Sequence, residues 1–182
     1  MTRALFLLAV LMGAVLFPAT AQSLEYEVKA AFLYNFAKFV TWPPDAFAAP
    51  DSPITICVLG PDPFGSRLDD LVAGERVEEH PLLVRRLANA ADAGDCHVLF
   101  VSPSERDRFP RILTTVNTRR VLTVSDTLEF LDAGGHFSFF LDSNRVRFAA
   151  NTAALGPCEF QVSSKLLQVA RIHRTPPLAP RP

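Results

Sequence analysis

The chain has 182 residues, 49% hydrophobic and 20% charged, with a formal net charge of -1. That length can bury the core of one domain, and the near-neutral charge gives no electrostatic footprint for nucleic acid. The three cysteines (Cys57, Cys96, Cys158) and four scattered histidines form no C-x-x-C, HExxH or other paired metal spacing, which argues against a metal centre.

The chain opens with one basic residue, Arg3, and an apolar run from Ala4 to Phe17. Ala19-Thr20-Ala21 then offers a small-x-small cleavage site, with Ala21 and Gln22 flanking the cut. This is the layout of a secretory signal peptide, residues 1–21. The apolar run is shorter than the ~20 residues of a membrane span, so the mature chain is expected to be soluble and exported.

A helix is predicted next, from Leu24 to Trp42, with Ser23 as N-cap and the Trp-Pro-Pro sequence as its stop. Leu24, Val28, Phe32, Phe36 and Val40 recur every fourth residue, and Leu33, Ala37 and Phe39 widen the stripe. Glu25, Glu27, Lys29, Asn35 and Lys38 form the expected wet side. Ile54–Leu59 reads as a buried strand. Asp62 is placed as the N-cap of a helix that begins at Pro63 and stops at Gly74. Arg76–Leu87 reads as a strand that Pro81 assigns to an edge or a bulge.

His97–Val101 is a third, continuously apolar strand, and Ser102-Pro103-Ser104-Glu105 forms a capping box for the helix after it. Pro110 should divide that helix, leaving a second piece at Arg111–Asn117. The charged run Glu105–Arg111 reads as a solvated face. Val121–Ser125 is a fourth strand, followed by a short helix near Thr127–Leu131 and the Gly134-Gly135 break. His136–Leu141 and Arg145–Ala149 flank Asp142-Ser143-Asn144 as a hairpin. Asn151 starts a short helix, Glu159–Val162 is a last strand, and Lys165–Ile172 is a small amphipathic helix. Residues 174–182 form a proline-rich tail, read as disordered. The alternation of strands and helices predicts one α/β domain over residues 22–173. Its form is a three-layer sandwich with a mixed, mainly parallel sheet and an N-terminal amphipathic helix.

No chemistry-bearing motif stands out. The strand–loop–helix from Ile54 to Gly65 lacks a dinucleotide or P-loop fingerprint, and Pro61 and Pro63 remove backbone donors that a phosphate would need. Ser102, Ser125, Ser163 and Ser164 lie at strand ends and helix starts, where capping explains them. No catalytic residue is assigned, and a non-enzyme is expected. Small-ligand binding at the carboxyl ends of the strands, near Gly60 and Ser102, is the alternative reading. At most one disulfide can form within the chain. Cys57 and Cys96 can bridge if the first and third strands are neighbours, contributing about 4 kcal/mol in the chain-entropy model. Otherwise each is a small buried apolar group.

An ordered set of blocks resembles the YfiR family of small bacterial periplasmic proteins. The blocks are Lys29–Pro43 (KAAFLYNFAKFVTWP), Ile56–Gly60, Asp62–Gly65, Cys96–Ser102, Val121–Asp126, Gly134-Gly135, Asn144–Phe148 with Asn151, and Ser163–Leu167. The resemblance implies a periplasmic, non-catalytic regulator without a cofactor. Such a protein binds the periplasmic sensor domain of an inner-membrane signalling protein, in the best-known members a diguanylate cyclase that it represses, and an outer-membrane lipoprotein sequesters it. Cys57 and Cys96 match a family cysteine pair, which implies a disulfide and leaves Cys158 over. The second bridge of some members has no counterpart here. A homodimer is expected, and the candidate contact residues are Phe32, Tyr34, Asn35, Lys38, Trp42, Arg147, Asn151 and Lys165.

Overall fold

Strands with no polar-facing position need cover on both faces, and Ile54–Leu59 and Val98–Val101 are buried at every residue. The computed structural model describes residues 19–174, with side chains from Ser23 onward. The expected leader lies largely outside the described residues, as do residues 175–182 of the tail. In chain order the elements are α1 (Ala19–Phe39), β1 (Val40–Thr41), β2 (Ile54–Leu59), α2 (Ser66–Val72), β3 (Arg76–Val77), β4 (His80–Leu87) and β5 (Val98–Val101). They continue with α3 (Phe109–Thr115), β6 (Leu122–Ser125), α4 (Glu129–Asp132), β7 (Phe137–Asp142) and β8 (Arg145–Asn151). Last come α5 (Thr152–Leu155), β9 (Gln161–Val162), α6 (Ser164–Val169) and β10 (Arg171–His173).

The main sheet has eight strands in the order β10-β8-β7-β6-β5-β2-β4-β3. β4, β2, β5, β6 and β7 run parallel, and the β7–β8 and β3–β4 pairs are antiparallel. The sheet is thus mixed and mainly parallel, as expected. One face packs under α1, α2 and α6 around Leu33, Phe36, Phe64, Phe100, Phe137 and Phe148. The other packs under α3, α4 and the 3-10 turn Ala90–Asp95, around Leu59, Leu99, Phe109 and Phe130. The β7–β8 loop is Ser143-Asn144, with φ of 48° and 62°. Two positive φ values suit the twist of a two-residue hairpin. Cys57 of β2 and Cys96, just ahead of β5, form a disulfide with a Cα–Cα distance of 5.9 Å, as the pairing of these two strands allows.

Several elements differ from the sequence expectation, each for a local reason. Helix α1 starts at Ala19 and spans the expected Ala21/Gln22 cleavage point, so Ser23 lies inside it and does not cap it. Its hydroxyl donates to Glu27 and accepts from Arg67. The helix stops at Phe39, because Val40–Thr41 pairs antiparallel with Gln161–Val162 before Trp42 is reached. Asp62 does not cap a helix at Pro63. Its carboxylate accepts from Phe64 N at 2.7 Å in a turn, and α2 begins after Gly65. Arg76–Leu87 is a hairpin, β3–β4, turning at Glu78-Glu79. Pro81 precedes the β2–β4 ladder, which begins at Leu82, so its missing N–H leaves no central gap.

The capping box at Ser102 does not form. Ser102 Oγ donates instead to the Pro61 carbonyl, and Pro103–Arg108 is a 3-10 turn leading into α3 with Pro110 in its first turn. Asn151 does cap α5, accepting from Ala154 N at 3.1 Å. The last helix ends at Val169, since Arg171–His173 adds β10 to the sheet edge beside β8. Gly135 cannot carry a side chain, because a Cβ there would lie 2.3 Å from the Phe130 ring.

Candidate interaction surface

An α-helix advances 100° per residue, so side chains spaced every fourth residue drift by ~40° per step. Over the five positions from Leu24 to Val40 the expected stripe therefore winds ~160° round α1. Only Phe36 and Val40 of that set reach the core, joined there by Ala30, Leu33 and Ala37. Leu24 is 62% exposed, Val28 38% and Phe39 40%. Phe32 lies between the two faces, half-buried, with its ring 5.8 Å from Phe139 and 5.6 Å from Phe148. Helix α1 therefore carries two apolar faces, one closed by the sheet and one open.

The open face continues onto α6. Phe32, Asn35, Phe39, Lys165, Leu166 and Val169 line a groove of about 310 Å³, and Val169 is 63% exposed. Val169 also borders a second hollow with Arg147 and Arg171, whose guanidinium stacks 3.7 Å above Phe140. Of the eight candidate residues, Phe32, Asn35 and Lys165 thus meet at one groove, and Arg147 stands at the next. Tyr34 and Lys38 lie on another flank of α1, where Tyr34 donates to Glu75 and Lys38 donates to the Tyr34 hydroxyl at 3.2 Å.

Trp42 and Asn151 are buried, and their polar groups serve the fold. Trp42 Nε1 donates to the Arg120 carbonyl at 3.2 Å, and Asn151 Nδ2 donates to the Leu131 carbonyl at 3.0 Å. Sequence reasoning did not single out Val169, which the structure leaves exposed beside the α1–α6 groove. The sequence placed Leu24, Val28 and Phe39 in one apolar stripe with Phe36 and left open whether that stripe closes the core or a contact between chains. The drift of the i+4 spacing was the signal that divides it.

Lys29 is the largest departure. It was assigned to the wet side, yet it is 2% exposed, because it shares a face with Leu33 and Phe36. Its ammonium lies 2.7 Å from the Asp126 carboxylate, at the carboxyl end of β6, and pairs also with Glu25. Tyr26 OH donates to Asp126 at 2.9 Å. Burial, with Asp126 alongside, drives the Tyr26 phenol well above its usual range and keeps it a donor. This cluster pins the first half of α1 over the carboxyl ends of the strands. At Gly60, φ is +88°, and a Cβ would lie 3.0 Å from both Glu105 Cγ and Ser102 Cβ. Glu105 thus occupies the point directly beside the Gly60 backbone, where a side chain would otherwise lie.

Two buried histidines take part in the backbone ladders. His97 Nδ1 accepts from Thr55 N and His136 Nδ1 from Thr123 N, each at 3.1 Å. Burial, with His80 nearby, pushes His97 down to about 4, and burial alone does the same to His136. Cys158 Sγ lies 3.4 Å from His136 Nε2, and burial pushes the thiol up to about 11. With Nδ1 accepting, the neutral ring carries its proton on Nε2 and cannot act as base towards the thiol. Among the described residues no group of three or more His, Cys, Asp and Glu side chains could hold a metal, and no helix is long and apolar enough to cross a membrane.

No curated protein matches the chain. A solved structure, a conserved domain protein from Vibrio cholerae O1 biovar El Tor str. N16961, aligns with a TM-score of 0.52 and 10% identity over 82% of this chain. The match spans 60% of that protein's length, and at this identity the likeness is one of fold. A family model described as YfiR/HmsC-like matches residues 26–171, from the middle of α1 to the start of β10. The chain therefore belongs to the YfiR/HmsC-like family.

Proposed function

We propose that this protein is a periplasmic, non-catalytic regulator, exported by cleavage between Ala21 and Gln22 and folded as one domain over residues 22–173. In this reading it docks through the α1–α6 face onto the periplasmic sensor domain of an inner-membrane signalling protein. The resemblance favours a diguanylate cyclase that is repressed on binding, with release to an outer-membrane lipoprotein. The observation that carries the reading is the second apolar face of α1, where Leu24, Val28 and Phe39 stay exposed and Phe32 and Phe39 line a groove with Val169 of α6. Apolar patches rimmed by polar groups mark protein contacts, and Asn35, Lys165 and Arg147 supply that rim. The same face is proposed to pair two copies of the chain when the partner is absent.

The test is capture of membrane proteins by the tagged mature chain, compared with Phe39→Asp and Val169→Asp variants of unchanged melting temperature. The expected result is a captured cyclase that both variants lose, and a rise in cellular cyclic di-GMP on deletion of the gene. Undiminished capture by both folded variants would remove the α1–α6 face from the reading.

A further inference from the structure

A second concave surface lies at the amino end of β4, away from the α1–α6 face. The chain leaving β1 turns through Trp42 and Pro44, and the β3–β4 hairpin turn rises opposite. They enclose a groove of about 440 Å³, within the range of ligand sites. One wall is apolar: Pro44, Phe47 and Pro50, with an edge of the buried Trp42 behind them. Phe47 is held rigidly, its ring stacked 3.8 Å from His80 and 4.8 Å from His97. The other wall is Glu78 and Glu79. Glu78 has φ 53°, the left-handed region that a side chain enters at some cost. Neither carboxylate has an ion-pair partner among the described residues, and the nearby Arg76 is spent on the Glu79 carbonyl. A rigid aromatic and proline wall facing two unpaired carboxylates suits an extended proline-rich segment that carries a cation.

The chain itself contains such a segment. Residues 174–182 read Arg-Thr-Pro-Pro-Leu-Ala-Pro-Arg-Pro. Four prolines fix their own φ and bias the residues before them towards the polyproline II conformation. A polyproline II helix has three residues per turn, so a segment bound in that form would present Arg174, Pro177 and Pro180 along one edge. We propose that the Pro44–Phe47–Glu78–Glu79 groove receives the Arg174–Pro182 segment of a second copy of the chain. The prolines pack on the aromatic wall, and the arginines meet Glu78 and Glu79.

Reach decides between the chain's own segment and that of another copy. Strand β10, which ends at His173, lies six strand intervals from β4, about 29 Å at ~4.8 Å per strand. Pro180 is seven residues past His173, so even full extension carries it only ~25 Å, with Arg174 and Pro177 falling far shorter. A chain therefore cannot seat this segment in its own groove. Each copy carries one groove and one segment, so the contact joins copies either by reciprocal exchange in a pair or head-to-tail in a longer assembly.

A labelled synthetic peptide of residues 173–182, titrated into the full chain by fluorescence anisotropy, tests the site. Sedimentation velocity over a range of concentrations tests the assembly. Saturable binding is expected, weakened at least tenfold by Glu78→Lys with Glu79→Lys and by Pro177→Ala with Pro180→Ala in the peptide. Binding should return when the lysine variant meets a peptide carrying Arg174→Glu and Arg181→Glu. Both glutamates are exposed, and unchanged circular dichroism and melting temperature establish that the variant folds. Concentration-dependent self-association through this contact, whether to a pair or beyond, should vanish in the same variant. Equal peptide binding by wild type and the lysine variant would overturn the proposal. So would self-association that ignores Glu78 and Glu79 and is abolished by Phe39→Asp, a result that leaves the regulator reading intact.

Discussion

Replacing Lys29 with methionine removes one ammonium and keeps most of the side-chain volume. The Asp126 carboxylate, 9% exposed, then loses its 2.7 Å cation and retains Tyr26 OH at 2.9 Å. Breaking a buried pair from one side strands a charge and destabilises by about 3–5 kcal/mol. For a folded unit of this size each kcal/mol shifts the melting temperature by about 2–4 °C, so Lys29→Met should melt about 6–20 °C lower. Lys29→Met with Asp126→Leu removes both members of the buried pair and leaves only Glu25, 27% exposed and within reach of water, and such replacements are often neutral or stabilising. The double variant should therefore recover most of the loss, with a coupling energy of at least about 2 kcal/mol in the cycle. Thermal and urea unfolding followed by circular dichroism give both numbers, provided that the m-value stays constant. A single-variant loss below about 1 kcal/mol, or a double variant that shows the sum of the single losses, would refute the buried-pair reasoning.

Removing the disulfide with Cys57→Ala and Cys96→Ala should destabilise by about 4 kcal/mol in the chain-entropy model for a loop of sequence separation 39. A loss under about 1 kcal/mol in urea titration would contradict this. Stability should also fall on acidification. His97 and His136 are pushed from 6.5 to about 4 in the folded chain. Between those values the unfolded chain binds more protons, so stability rises with pH, is fully present above 6.5 and is lost towards 4. At pH 5 the loss is about 2 kcal/mol per histidine, and a flat melting profile from pH 7 to 5 would refute it. Cys158, at about 11 against an ordinary 9.0, should react with iodoacetamide at pH 8 about a hundredfold more slowly than in the denatured chain. Equal rates by mass spectrometry would contradict this.

Local signals were read correctly where one residue or a short run decides the conformation. Ile54–Leu59 and Val98–Val101 have no polar face and so became interior strands. Ser143 and Asn144 tolerate the left-handed turn of a hairpin, and Asn151 capped the helix it precedes. Errors arose where a distant partner competes with a local preference. Val40–Thr41 left the helix for Gln161–Val162, and Ser102 turned from capping to the Pro61 carbonyl. Of the candidate surface, Phe32, Asn35 and Lys165 were found together, but Trp42 and Asn151 are interior.

The sequence by itself determined the alternation of strands and helices, the central apolar strands, and the ordered blocks of the YfiR/HmsC-like family, because these depend on side-chain type and short spacing. Only the tertiary structure decided which side of α1 faces the sheet. An i+4 stripe winds round the helix, and the buried side was selected by contacts far along the chain: Phe137 and Phe148 against Phe36, and Asp126 against Lys29. Those partners lie some hundred residues away, where no local spacing can register them. Their choice left Leu24, Val28 and Phe39 facing outward.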